Sequence, residues 1–580
     1  MADKGIFWNG KKFILPQASS RIDSSALARA PLGGGAAVAI IGNMIGLIEP
    51  KTAKRVGTPS TALAMLHPSS EEARLAAQLV FDPSPGGGTP GASEVYLVPV
   101  NSALPATRTF SNALQLDSYL YGLPANQVRV KIENGTSVGK KVTVAFGSEE
   151  EKFDNLTKES FSIRYNGTGN PAVMTITPTV AGHSLTTTIT GATADNLNLD
   201  LLVNDTVQSL VDAINATGKY TAVVLTNNPN DSTMQLDATN NQDVKTATYT
   251  AKSDLQAVVD GLAGSGYVKA RRVVDAGAAP VNTSDFQYLS GGSNGSVTTT
   301  DWQSVLDLLG TMNINIILPL TSDASVHAMV DSHCDWFSGP SGKLERRAFV
   351  GGGLQSWTSE GARSSAVSAL QNAAKLIGSD RIVNVGLGSK HYDANGKSKI
   401  YAPYITAAMY AGIAAGGFPV TPLTRKYLRC LGLEVELRSE EIDTLINAGV
   451  AVPIVDLVNG AGWVISRQVT TWGKDVDLYR IEYSVGQGAD YIAQQVRQRH
   501  EQLIGMPGTE ALDVTIVNIT NGVLEQAKRE GYIRNYDPKK TTLRVDGTVR
   551  YVDYSAEPIL PVNFIFSTYF LLPTSFTIGL

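Results

Sequence analysis

The stretch Pro561-Val-Asn-Phe-Ile-Phe-Ser-Thr-Tyr-Phe-Leu-Leu572 is β-prone and apolar on both faces. A strand of that kind cannot be left bare in water, because its free backbone groups and two apolar faces invite pairing with other chains. The opposite end poses the same problem. Ile6-Phe7-Trp8 and Phe13-Ile14-Leu15 are apolar triplets separated by Asn9-Gly10-Lys11-Lys12, with no helical stripe around them. Such a segment cannot bury both faces alone and reads as an extended arm lying on something else. Any fold of this chain must find cover for both ends.

The chain between them is long enough for several cores. At 580 residues it implies about three to five units. Hydrophobic residues make up 43% and the net charge is −5, which excludes global disorder and a surface that is basic throughout, as a nucleic-acid or membrane field would need. Cys334 and Cys430 are the two cysteines, too few for a disulfide scaffold or a four-thiolate zinc site, and their scarcity fits a reducing compartment. No apolar core of a signal peptide precedes a cleavage site near Met1. The uncharged run Tyr401–Thr424 is rich in Ala, Gly and Pro, so it reads as a closely packed interior helix and turn, without stable membrane insertion.

Along the chain the hydrophobic pattern changes twice. We divide it into an N-terminal arm (1–30), the first part of an α/β core (31–104), an inserted β-rich outer domain (105–255), the second part of the core (256–400), a compact C-terminal α+β domain (401–557) and a C-terminal arm strand (558–580). The fold class is thus multidomain α+β and α/β, a mixed α/β core with an inserted β-rich domain. Buried strands are expected at 36–43, a short continuous apolar run, and at the largely apolar segments 95–100, 314–320, 347–350 and 382–385. Capping boxes are expected at Ser69–Glu72 and Thr300–Gln303, and a capped helix after Thr206. Helices are expected from Ser325 to Trp336, from Asp490 to about Ile504 and from Leu512 to about Arg529.

Enzyme motifs occur without their contexts. Gly291-Gly-Ser293-Asn-Gly295 has the spacing of a nucleophile elbow, which requires a strand running straight into a helix. Here it sits in a polar loop, so an α/β hydrolase using Ser293 is a remote alternative. Asn395-Gly-Lys-Ser398 lacks the leading glycine of a phosphate loop and reads as a hairpin turn. Gly33-Gly-Gly35 and Gly42–Gly46 do not open a helix, so dinucleotide binding is not expected. His327, Asp331 and Cys334, with His333 and Asp335 beside them, share one helix and form the best metal candidate, but they lack zinc-site ligand spacing, and a polar helix face with one buried thiol is the better reading. No catalytic, metal or cofactor site is assigned. Arg497, Arg499 and His500, with Arg467, Lys474 and Arg480, form a modest basic cluster suited to a solvated face or to a partner of opposite charge.

The last third carries a resemblance. It contains Tyr401-Ala-Pro-Tyr-Ile-Thr-Ala-Ala-Met-Tyr-Ala-Gly-Ile-Ala-Ala-Gly416, Pro422-Leu-Thr-Arg-Lys-Tyr-Leu428, Leu431-Gly-Leu-Glu434, Glu440–Val450, Thr470-Thr471, Asp490–Arg497 and Ile504-Gly-Met-Pro-Gly508. This ordered set, with Tyr288–Gly295 upstream, resembles the tail sheath proteins of contractile-tailed bacteriophages. The resemblance covers about 285–580 well, 30–100 loosely and 105–250 hardly at all.

It implies a structural polymer of the virion, assembled in the host cytoplasm. Subunits would stack as six-membered rings around a tail tube protein, with baseplate and tail terminator proteins at the ends, and contract to drive the tube through the host envelope. The arms would add strands to neighbouring copies, through Ile6, Phe7, Trp8, Phe13 and Ile14 at one end and Phe564, Ile565, Phe566, Tyr569 and Phe570 at the other. The C-terminal domain would face the tube, with Arg497, Arg499 and His500 as candidate contacts, and the β insertion would face outward, where it could serve as a receptor- or glycan-binding module. Partners are therefore protein, not nucleic acid. The sheath of a phage-like injection system or bacteriocin is the alternative.

Overall fold

A computed structural model of the chain describes residues 6–8, 11–13, 36–273, 277–456 and 462–571. Its central layer is a seven-stranded sheet. The strand order is Val450–Ala451, Ile382–Val385, Arg347–Gly351, Ile316–Pro319, Val38–Gly42, Val95–Pro99 and Lys54–Val56. All pairs are parallel except the last, where the charged strand Lys54–Val56 closes one edge antiparallel. The continuous apolar runs have the expected reason: both faces of the sheet are covered.

Val38, Ile40, Leu97, Phe349 and Val383 point to one side, against the helices Glu71–Phe81 and Pro403–Gly416. Ala39, Ile41, Val98, Ala348 and Val350 point to the other, against Thr299–Leu309 and Ala324–Ser338. The uncharged run beginning at Tyr401 is thus an interior helix. Its small residues allow close approach: a Cβ on Gly412 would lie 2.5 Å from the Val80 carbonyl, and one on Gly416 2.1 Å from that of Pro90. Among the described residues no helix is long and apolar enough to cross a membrane. The layer continues past residue 400, since Pro403–Gly416 lies on it and Val450–Ala451 forms its far edge.

The β-rich region comprises two nested units. In the first, one sheet orders Val268–Arg272, Leu114–Tyr121 and Pro105–Phe110, and another orders Glu149–Leu156, Lys140–Phe146, Arg129–Asn134 and Gln287–Tyr288. They share a core that includes Leu116, Val130, Val144, Val258, Val268 and Leu289. This unit therefore runs on to Leu289, because strands after 255 complete both of its sheets. The second unit lies between Glu159 and Lys252 and packs its strands around the helix Val207–Ala216, with a separate core. Its entry and exit run side by side. Thr157 Oγ1 and the Lys158 N–H both donate to Asp254 Oδ1, at 2.6 and 3.1 Å, and the Ser253 N–H donates to the Lys158 carbonyl at 2.8 Å. The edge strand Tyr220–Val224 is shielded by the Asn215 amide, which donates to the Ala222 carbonyl and accepts from its N–H at 2.9 and 2.8 Å. Such blocking suppresses edge-to-edge pairing.

The C-terminal region holds the helices Tyr483–Glu501 and Glu510–Arg529, a hairpin of Thr542–Asp546 with Val549–Asp553, and the pair Ile533–Tyr536 with Ala556–Pro558. The first helix starts at Tyr483, ahead of the expected Asp490. Its early glycines are required for packing: a Cβ on Gly486 would lie 2.4 Å from Arg347 Nη2, and one on Gly488 2.6 Å from Val420 Cγ1. Two caps also shift. The box expected at Thr300–Gln303 forms at Thr298, whose hydroxyl accepts from the Asp301 N–H while its own N–H donates to Asp301 Oδ2 at 2.8 Å. Ser70 precedes Glu71–Phe81, and its hydroxyl is spent on the backbone of Ile45. Thr206 caps its helix as expected.

The N-terminal segment differs from the expected extended arm. Ile6–Trp8 and Lys11–Phe13 pair with each other as an antiparallel hairpin, Ile6 opposite Phe13, so local pairing across the Asn9-Gly10 spacer satisfies them first. Ile14 and Gly33–Gly35 lie outside the described residues. Residues 559–571 form no strand in the single chain, because no second strand lies beside them.

Candidate assembly surfaces

Among the described residues, the segment beyond Asn563 is a continuous run of exposed apolar side chains. Phe564 is 69% exposed, Ile565 85%, Phe566 94%, Tyr569 85%, Phe570 78% and Leu571 82%. Apolar patches of this size mark interaction sites. Phe564 and Phe566 stack with ring centroids 6.3 Å apart, an arrangement made by alternate residues of an extended chain.

The root of this segment is held by the body. Ala556–Pro558 pairs with Ile533–Tyr536, and under it lies an apolar hollow of about 180 Å³ lined by Val420, Val485, Ile492, Tyr532, Tyr554 and Ile559. Farther on, Asn563 Nδ2 donates to Glu482 Oε1 at 3.0 Å, where Arg467 also binds. The one local signature of this contact in the sequence is the polar Asn563 between the apolar Val562 and Phe564.

The basic cluster is largely spent inside the chain. Arg497 donates to both oxygens of Glu345 at 2.6 Å. His500 Nε2 lies 2.9 Å from Thr520 Oγ1, and burial lowers its pKa. Arg499 is exposed and reaches Gln526 Oε1 at 3.1 Å. Arg467 pairs with Glu482, and Arg480 stacks over Trp472 beside Lys474.

The metal candidates do not converge. Among the described residues no group of three or more His, Cys, Asp or Glu side chains could hold an ion. His327 Nε2 lies 2.9 Å from the Thr321 carbonyl, and His333 Nε2 lies 2.6 Å from Arg346 Nη1. Cys334 is buried, which pushes its thiol up to about 12 and makes it inert. Asn395–Ser398 is the expected turn: Asp393 Oδ1 accepts from the N–H groups of Asn395 and Lys397, and Gly396 has φ +74°.

Ser293 occupies no elbow. Its backbone N–H and carbonyl pair with Leu104, and the next helix begins only at Thr299. Its loop is a seam joining the first β unit to the central layer. Asn126 exchanges hydrogen bonds with the backbone of Gly292 at 2.8 and 2.9 Å, and Asn294 Oδ1 accepts from the Leu123 N–H at 2.8 Å. Gly295 has φ +67°, and a Cβ there would lie 2.3 Å from the Ser102 carbonyl carbon. Gly295→Ala is expected to destabilise the chain by roughly 2 kcal/mol through strain and backbone clash, whereas Ser293→Ala stays within about 0.5 kcal/mol. Thermal melts of the two variants check this pair.

No family model matches the chain. It is 29% identical over 576 residues to the tail sheath protein of Bacillus phage SP01, covering 97% of this chain and 96% of that one. It is 26% identical to a putative tail sheath protein of Enterococcus phage phiEF24C, covering 95% and 96%. A solved sheath tail protein of Listeria innocua superposes with a TM-score of 0.56 at 14% identity, covering 92% of this chain and 94% of that one. The chain is thus similar in sequence to phage tail sheath proteins along nearly its whole length, and it shares the fold of a sheath tail protein.

Proposed function

From that similarity we propose that the chain is the structural subunit of a contractile phage tail sheath, a virion component that polymerises around a tail tube and contracts to drive it through the host envelope. One observation carries the mechanism: a packed body from which a bare, apolar segment beyond Asn563 projects. A strand left open in one copy is completed by adding to a sheet of the next, where main-chain hydrogen bonds give affinity and alternate side chains fill pockets. A head-to-tail contact that does not close on itself makes an open helical array. Contraction is then a rigid-body rearrangement of bodies whose linking segments stay engaged.

The energy comes from subunit packing, so the subunit's role is structural. We assign Ile6, Phe7, Trp8, Phe13 and Ile14 at one end, and Phe564, Ile565, Phe566, Tyr569 and Phe570 at the other, to contacts between copies. The nested β units are assigned to the outside of the array, and the helices Tyr483–Glu501 and Glu510–Arg529 to the tube side. Of the basic cluster, the exposed Arg499 is the residue best suited to meet the tube protein. Rings of six, assembly in the host cytoplasm, and contacts with baseplate and terminator proteins complete the reading. Sedimentation velocity tests it. Raising the concentration of purified chain should convert a 61.6 kDa species into very large polymers. A species that stays at that mass at every concentration would refute self-assembly.

A further inference from the structure

After Pro558 the chain advances with a two-residue rhythm. Ile559, Pro561 and Asn563 are half-buried, whereas Leu560, Val562 and every residue from Phe564 to Leu571 are exposed. Asn563 is therefore the last described side chain turned toward the body. It meets Glu482, at the start of the helix Tyr483–Glu501, whose carboxylate is 1% exposed.

This contact is poorly satisfied. Glu482 Oε1 accepts from Asn563 Nδ2 at 3.0 Å and from Arg467 Nε and Nη2 at 2.8 and 2.6 Å, so three donors crowd one oxygen. Glu482 Oε2 is buried and receives none, and Asn563 Oδ1 is likewise buried without a partner. Native interiors pair nearly all such atoms, and an orphaned acceptor is costly, the more so when charged. Withdrawing Asn563 would carry its own unpaired oxygen into water while Arg467 keeps the carboxylate paired.

We infer that the Asn563–Glu482 contact is a releasable latch. It parks the root of the C-terminal segment on its own body and lets go when residues beyond it pair with a second copy of this chain. The identity of that occupant rests on the proposed sheath function; the latch itself rests on the two orphaned oxygens and the lift-off at Asn563. Release frees residues 559–563, about 17 Å of extended chain at ~3.3 Å per residue. That slack lets linked bodies change their spacing without breaking the connection.

Nitroxide labels at Val562→Cys and Gln498→Cys, both at exposed positions, test this in the full chain. Labelled chains are diluted into unlabelled ones, and the intramolecular distance is read by pulsed electron paramagnetic resonance. The free chain should give one narrow distance, and assembly should lengthen it by about 10 Å or more, given the length released. In the free chain Asn563→Asp, which replaces the donor with a second carboxylate, should broaden and lengthen the distribution. An unchanged distance on assembly, or an Asn563→Asp chain indistinguishable from the parent, would overturn the latch. Failure to assemble would count against the sheath reading alone, since the Asn563→Asp comparison needs no polymer.

Discussion

A chain ending at Asn563 should fold as the full chain does and lose the ability to form long tubes. Every described residue it removes is exposed, and none donates or accepts a hydrogen bond to the body, so its melting should match the parent within about 0.5 kcal/mol. Assembly is another matter. Phe564, Ile565, Phe566, Tyr569, Phe570 and Leu571 are bare in one copy. Burying an apolar side chain of this size contributes about 1.5–3 kcal/mol. Ordering the segment offsets part of that, since each fixed residue costs roughly 1–2 kcal/mol. Even a remainder of several kcal/mol per copy, summed along a polymer, separates long tubes from none. Sedimentation and electron microscopy of the truncated chain check the outcome. Normal long tubes would show that the segment is not the link.

The second large effect concerns a cation in the central layer. Arg346 is fully buried, and its partners among the described residues are two backbone carbonyls and an imidazole. Its Nη2 donates to the carbonyls of Leu309 and Met312, at 2.8 and 2.6 Å, where the helix Thr299–Leu309 ends. Its Nη1 donates to His333 Nε2 at 2.6 Å, and the guanidinium lies 4.4 Å from the Phe337 ring centroid. The negative end of a helix and three acceptors thus hold the charge. Burial lowers its pKa to about 10, so it stays protonated at neutral pH. Arg346→Ala strips a donor from all three acceptors and leaves a void, which should cost about 3–5 kcal/mol. At roughly 3 °C per kcal/mol the melting temperature falls by about 10 °C.

The same site makes the fold acid-labile. His333 must stay neutral to accept from Arg346, and burial together with that guanidinium depresses its pKa to about 4. Burial does the same to His391, beside Ser389, also to about 4. Between pH 6.5 and 4 the unfolded chain binds more protons at these sites, so stability present above pH 6.5 is lost as pH falls toward 4. Each histidine contributes on the order of 3 kcal/mol across that window. Asp237 opposes them: burial raises its carboxyl to about 6, so it favours the folded state as pH falls from 6 toward 3.8. The net expectation is a steep drop in melting temperature between pH 6.5 and 4, with a shallower slope in His333→Gln. Equal slopes in the two proteins would count against His333.

Much of the central layer was legible because its strands are buried on both faces. Runs such as Val38–Gly42, short and apolar throughout, read as strands covered on both faces. The short edges Lys54–Val56 and Val450–Ala451 carry no such pattern and were missed. The nesting of the β units was also hidden, since alternation marks a strand without naming its mate. Val268–Arg272 completes a sheet begun at Pro105, a pairing that no local signal encodes. The helix start at Tyr483 was obscured by glycines that packing demands. Of the surfaces, the exposed C-terminal side chains followed from their apolarity alone. Arg497 and His500 read as free charges because Glu345 and Thr520 are distant in sequence, and the Asn563–Glu482 contact joins residues 81 apart.

Negative-stain electron microscopy of the purified full-length chain over a range of concentrations probes the main claim most directly. Striated tubes built from stacked rings, longer and more numerous as concentration rises, are the expected result. Separate, uniform particles at every concentration, their aromatic ends folded back onto single bodies, would contradict it.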